Sequence, residues 1–228
     1  MRLTFLGTGT SFGVPQIGCD CAVCRSSDPR DKRTRSGAVL EAGDSTILID
    51  TPPELRLQLI SAGFSHIDAV LYTHEHADHI NGIDDLRIFS VRPYEGTSKP
   101  RLVLNPITPG QVFTSAGVET MPLAFQHGHI RVFGYRFGKL AYLTDIKAIP
   151  QAELEQLKGL EVLVLNALWW RPHPTHLSIS EAIETARILG AGRTYLTHLT
   201  HETGHSALES TLPPGVFAAY DGLTVEVP

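Results

Sequence analysis

Three histidines and an aspartate fall between positions 74 and 79, in the run Thr73-His74-Glu75-His76-Ala77-Asp78-His79. Neutral imidazole and carboxylate are the ligands that borderline divalent metals take. Packed this densely, the same groups repel one another or shift their protonation unless a cation sits among them. The apolar run 69–72 leads in, with the length and bounding of a buried strand. In an extended segment His74 and His76 project to one side, because side chains alternate with period two. Asp78 and His79 follow where the chain can turn into a helix, so they can face a second point in space. Two divalent ions that activate water are the chemistry this arrangement suits.

A second cluster lies in Cys19-Asp20-Cys21-Ala22-Val23-Cys24, which holds all three cysteines of the chain. Three thiolates leave a tetrahedral structural zinc one ligand short. A late histidine is the natural fourth donor; a redox pair is the alternative reading. The polar stretch 25–36 is expected to be poorly ordered without the metal, so zinc would staple an insertion at about 17–36. The loop Gly7-Thr8-Gly9-Thr10 lacks both the P-loop ending and the dinucleotide spacing. It reads as a tight turn that lets another backbone pass close by.

These groups need rigid elements whose tips converge. Strands are expected at 2–6, 37–42, 45–50, 101–105, 121–126, 132–137, 139–143, 162–166 and 193–197. Asp50, the His74/His76 pair, His127, Asp145 and His198 then all stand at strand exits. Helices are expected at 54–62, with Leu55, Leu59 and Ile60 inward and Gly63 ending it, at 81–89, and weakly at 109–116. A stronger helix spans 178–189, with Ser178 and Glu181 forming a capping box. The loop 93–100 is a candidate rim or dimer contact. Alternating strands and helices without a composition break predict one α/β domain over 1–228, with sheets face to face and helices outside.

Composition is that of an ordinary globular chain: 228 residues, 42% hydrophobic, 19% charged, net charge −5. The charge argues against a general electrostatic grip on nucleic acid. No run of eighteen apolar residues suggests a membrane span. Three cysteines and no export signal lead to an expected cytoplasmic location.

The pattern His-x-His-x-Asp-His resembles the signature of the metallo-β-lactamase superfamily. Gly-Thr-Gly-Thr, Cys-x-Cys-x2-Cys, Thr144-Asp145, Thr175-His176-Leu177-Ser178 and Leu196-Thr197-His198-Leu199-Thr200-His201 extend the likeness over nearly the whole chain. The branch it looks most like hydrolyses phosphoribosyl cyclic phosphate in phosphonate breakdown. The resemblance implies a four-layer αββα sandwich and two catalytic divalent metals, Mn or Zn. His74, His76 and His127 would hold one; Asp78, His79 and His198 the other, with Asp145 bridging. His129 competes with His127. A structural Zn would take Cys19, Cys21, Cys24 and His201, with His205 as a competitor for the last place.

His176 is the implied general acid, with Asp78 beside it at the catalytic site, and Trp169 and Trp170 are candidate pocket walls. His173 reads as structural or peripheral. The substrate would be a small phosphate ester and the implied assembly a homodimer. Alternatives on the same centre are a tRNA 3′-processing nuclease, a lactone or thioester hydrolase, or a metal-stabilised binding module without catalysis.

Overall fold

The computed structural model describes residues 1–90 and 102–228. One sheet runs in the order β12-β1-β2-β3-β4, the second in the order β11-β10-β9-β8-β7-β6-β5. In the first sheet β1 is Arg2–Gly7, β2 Gly37–Ala42, β3 Ser45–Ile49, β4 Ala69–Leu71 and β12 Thr224–Glu226. In the second, β5 is Phe113–Ser115, β6 Val118–His127, β7 Ile130–Phe137, β8 Leu140–Leu143, β9 Val162–Asn166, β10 Arg193–Thr197 and β11 Val216–Ala218.

Period-two alternation sorts the side chains into layers. Ala38, Leu40, Ile47 and Ile49 of the first sheet pack against Tyr142, Val162 and Val164 of the second. The intervening residues face outward. Val39 and Leu48 meet Leu55 and Leu59 of helix α1, Leu55–Ala62. Across the second sheet, Leu163 and Leu165 meet Ile179, Ala182 and Leu189 of a helix spanning Ile179–Leu189. The result is two sheets face to face with helices on both outer faces. The Ser178–Glu181 capping box is formed at the start of that second helix.

Strand direction brings the tips together. β3 and β4 run parallel, as do β8, β9 and β10. β6 pairs antiparallel with β7, and β7 antiparallel with β8, so β6 ends at the same edge as β8. Asp50, Asp145 and His198 each follow a strand end at that edge, with φ of 62°, 57° and 59°. Aspartate and histidine tolerate this left-handed region better than most residues, though it still costs free energy.

Some expected elements differ. Ile60 is 65% exposed, and Gln58 takes the buried place in α1 beside Leu55 and Leu59. No strand forms over 102–105, and the weak helix at 109–116 is instead the strand β5. Phe113 alternates with polar Thr114 and pairs across to Thr120 of β6, and that ladder outweighs a marginal helical preference. Over 81–89 a 3-10 turn, Ile83–Leu86, runs into a short α-helix, Arg87–Ser90, in place of one continuous helix. The loop 93–100 lies outside the described residues. The stretch 25–36 is held by contacts of its own: Asp31, Arg33 and Ser36 are all buried. Gly7 and Gly9 permit this, since a Cβ on Gly7 would stand 2.0 Å from the Arg35 carbonyl and one on Gly9 2.9 Å from that of Arg33.

Candidate metal centre

Just beyond β4, His74 and His76 lie on the chain side by side, with His74 Nε2 2.9 Å from His76 Nδ1. With His127 they form a group whose ligand atoms all lie within 4.8 Å of one another. His74, His79 and Asp145 form a second such group, and His127, Asp145 and His176 a third. His198 Nε2 stands 3.2 Å from Asp145 Oδ1, and Asp78 Oδ2 3.4 Å from His79 Nε2. His129 is exposed and belongs to none of these groups.

Three of the rings, His74, His79 and His127, are held at the nitrogen turned away from the centre. The Thr73 hydroxyl donates to Asp50 Oδ2 at 2.8 Å, so it accepts from His74 Nδ1 at 3.0 Å. His79 Nδ1 donates to Asp50 Oδ2 at 2.7 Å, and His127 Nδ1 to the Thr175 carbonyl at 3.1 Å. Asp50 also accepts the Thr73 backbone N–H, which fixes the start of the histidine loop to the β3 exit. Such back-side bonds set the tautomer and aim of a metal-binding imidazole. Thr73 and Thr175 lie next to recognisable motifs, but nothing local in the sequence marks them as supports.

The electrostatics fit a cation. His79 Nε2 is buried without a hydrogen-bond partner and faces the carboxylates of Asp78 and Asp145. Burial works to lower the His79 pKa, but Asp50 and Asp145 outweigh it and raise it well above the usual value. A proton or a metal ion would thus occupy the same nitrogen. Burial lowers His74 to about 3 and His198 to about 4, so both rings are neutral donors near pH 7. Asp145 is fully enclosed; burial opposes its ionisation, yet His198 and His79 hold its carboxyl well below the usual range. A donor set of neutral imidazoles and ionised carboxylates is suited to Zn or Mn.

Beside the centre, His176 Nε2 is 2.8 Å from Asp145 Oδ1, and its Nδ1 is 2.9 Å from the Thr175 hydroxyl. His173 Nδ1 lies 3.2 Å from His176 Nδ1, closer to the site than its sequence position between prolines suggested. The Trp169 ring is stacked under the Arg171 guanidinium at 3.9 Å, while Trp170 is exposed.

The cysteine segment gathers separately. Cys19, Cys21, Cys24 and His201 place their ligand atoms within 4.8 Å of one another. His201 Nδ1 is 3.5 Å from Cys19 Sγ and 3.3 Å from Cys21 Sγ. The His201 contact lowers the Cys21 thiol to about 6, while burial raises Cys24 to about 11. His205 is turned elsewhere: its backbone N–H donates to Asp31 and its ring meets Arg33.

The model of the β-lactamase superfamily domain matches residues 45–199. An octanoyltransferase of Porphyromonas gingivalis (strain ATCC BAA-308 / W83) is 40% identical over 253 residues, covering 98% of this chain and 51% of that protein. The chain belongs to the β-lactamase superfamily. With the metallo-β-lactamase fold, it is similar over its whole length to a solved diphosphatase of the PhnP family. The TM-score is 0.94 at 40% identity, covering 100% of this chain and 98% of that one. A ribonuclease Z of Bradyrhizobium sp. (strain ORS 278) is 29% identical over 164 residues, 60% of this chain and 49% of that protein. Zn-bound PqqB from Methylobacterium extorquens shares the superfamily fold at a TM-score of 0.76 and 18% identity, over 100% of both chains. The chain spans about half the length of these two curated relatives. Among the described residues no helix is long and apolar enough to cross a membrane.

Proposed function

We propose that the protein is a metal-dependent phosphodiesterase acting on a small or cyclic phosphate ester, of the phosphoribosyl 1,2-cyclic phosphate kind. The observation that carries this reading is the His127–Asp145–His176 group, which sets the His176 imidazole 2.8 Å from Asp145, the carboxylate that two metal ions would share. His74, His76 and His127 would hold one divalent ion, and Asp78, His79 and His198 the other, with Asp145 between them. Bound there, Zn or Mn would supply a deprotonated water and neutralise charge on the phosphate oxygens. The chain's own residues orient and protonate. Asp50, Thr73 and Thr175 fix the rings, and His176 stands where it can give a proton to the departing alkoxide oxygen.

Likeness to the PhnP-family diphosphatase supports phosphoryl chemistry and puts a diphosphate bond among the substrates to test. The ribonuclease Z likeness favours a second reading, tRNA 3′ processing, against which the net charge of −5 weighs. The Cys19–Cys21–Cys24–His201 group is proposed as a structural zinc site, and a cytoplasmic homodimer as the working form. The metal-loaded protein should be assayed with bis-p-nitrophenyl phosphate, a ribosyl cyclic phosphate, a dinucleoside diphosphate, a lactone, a thioester and precursor tRNA. Turnover of the phosphodiesters above the others supports the proposal. Turnover confined to the lactone, thioester or tRNA replaces it, and none with metals loaded leaves a binding module.

A further inference from the structure

Ser36 closes the polar stretch that follows the cysteines, yet its side chain is completely buried at the far side of His198. Its hydroxyl lies 2.9 Å from the Gly9 carbonyl and 3.2 Å from His198 Nδ1, a residue 162 positions away. A carbonyl oxygen only accepts, and a serine hydroxyl has one hydrogen to give. That hydrogen goes to Gly9, so toward His198 the Ser36 oxygen accepts. Nδ1 therefore carries the imidazole proton, and the Nε2 lone pair is left facing Asp145 Oδ1 at 3.2 Å. A lone pair set against a carboxylate oxygen is repulsive unless a cation stands between them.

The surrounding backbone makes the Ser36 position rigid. The Gly9 N–H donates to the Thr34 carbonyl at 2.8 Å, and the Leu199 N–H to the Thr8 carbonyl at 2.9 Å. Gly9 thus bridges the segment ending at Ser36 on one side and the residue after His198 on the other. Arg33, itself 3% exposed, adds bonds to the Thr8 hydroxyl and the Ala219 carbonyl. Upstream, Lys32 Nζ donates to the Cys24 carbonyl at 3.1 Å.

We infer that Ser36 is a positioning residue for the His198 metal position: through the Gly9–Ser36–His198 hydrogen-bond chain it selects the Nδ1–H tautomer and presents Nε2 to the ion. Ser36, at the far end of the stretch that follows the cysteines, thereby supports the His198 position. The inference rests on the two-metal reading above for its consequence, but its geometric core is independent of any bound ion.

Two measurements test it. Long-range ¹H–¹⁵N spectra of the metal-free wild-type protein near pH 7.5 report the His198 tautomer directly. Nδ1–H is expected, and Nε2–H would overturn the inference whatever the metals do. Metal titration is then compared for wild type, Ser36→Ala, Ser36→Thr and His198→Ala. Ser36→Ala is expected to weaken one of the two metal equivalents by about ten- to a hundredfold, while Ser36→Thr, which keeps the hydroxyl, stays near wild type. Wild-type affinity in a folded Ser36→Ala protein overturns the inference. Should Ser36→Ala fail to fold, the wild-type spectrum and Ser36→Thr still decide it. If His198→Ala binds both metals as wild type does, the two-metal assignment at His198 is what has failed, and the tautomer result stands apart from it.

Discussion

Asp50 and His79 meet at 2.7 Å with both side chains closed off from solvent. The same carboxylate also takes the Thr73 backbone N–H and hydroxyl. Removing it strands buried donors on three groups at once. Asp50→Ala is expected to cost about 3 kcal/mol of stability, read from urea unfolding. Metal affinity should fall about ten- to a hundredfold. Asp50→Asn keeps a residue that tolerates φ near 62° and one acceptor oxygen, so its loss should be clearly smaller.

The metal-free protein should have a stability maximum just above pH 6.5. His74 and His198 titrate at about 3 and about 4 when folded, against 6.5 when unfolded. The unfolded chain then binds more protons than the folded one, so stability falls as pH drops below 6.5. His79 has the opposite sign. Its folded pKa is raised, so its contribution is full below 6.5 and is lost as pH rises through the higher folded value. Thermal melting from pH 5 to 10 with a chelator present should show this dome. Added Zn or Mn should flatten its alkaline side, because the ion takes the nitrogen that the proton leaves.

Much of this centre was legible in the sequence, and the reason is local. The histidine motif and Asp145 each follow a short apolar run of strand length, and His198 follows the β-prone run Arg193–Thr197. Asp50, a polar residue at the exit of such a run, reads equally as a turn cap or as a hydrogen-bonding support of the histidine loop, and its bonds to Thr73 and His79 are those of the support. The other supports are not legible. Ser36 meets His198 across 162 positions, and the ladder through Gly9 that joins them leaves no periodicity to read. The glycine loop reads as a close backbone approach, and a Cβ on Gly7 or Gly9 would collide with the 33–35 backbone. Strand β5 is not legible because three residues give too few alternations to outweigh a weak helical preference, and only pairing to β6 reveals it. Helical spacing points Ile60 inward, but the stripe is narrow and Gln58 takes the buried place, bonding Thr34 and the Arg35 carbonyl.

The two metal sites should fail separately. Cys24 is buried among the other thiols, so Cys24→Ala should release about one zinc and lower the melting temperature while the catalytic pair still loads. Asp145→Ala should release the catalytic ions and abolish turnover while keeping the zinc. Elemental analysis of both variants separates the cases, and equal losses from both would merge the two sites into one. Zinc uptake at the cysteines should also release protons at pH 7.5. Cys24, raised to about 11, still carries its proton there, whereas Cys21 at about 6 has mostly lost its own.

The role of His176 can be isolated by the leaving group. Its Nε2 lies 2.8 Å from Asp145, and the Thr175 hydroxyl fixes its other nitrogen. An alkoxide departing from a ribosyl phosphate is strongly basic and leaves slowly unless protonated as the bond breaks. A p-nitrophenolate is weakly basic and leaves without that help. His176→Ala should therefore lower kcat on the ribosyl cyclic phosphate about 10²- to 10⁴-fold. On bis-p-nitrophenyl phosphate the change should be several-fold at most, with two catalytic metals retained. A ring that merely braced Asp145 would slow both substrates alike and shed metal, and that pattern would remove His176 from proton transfer.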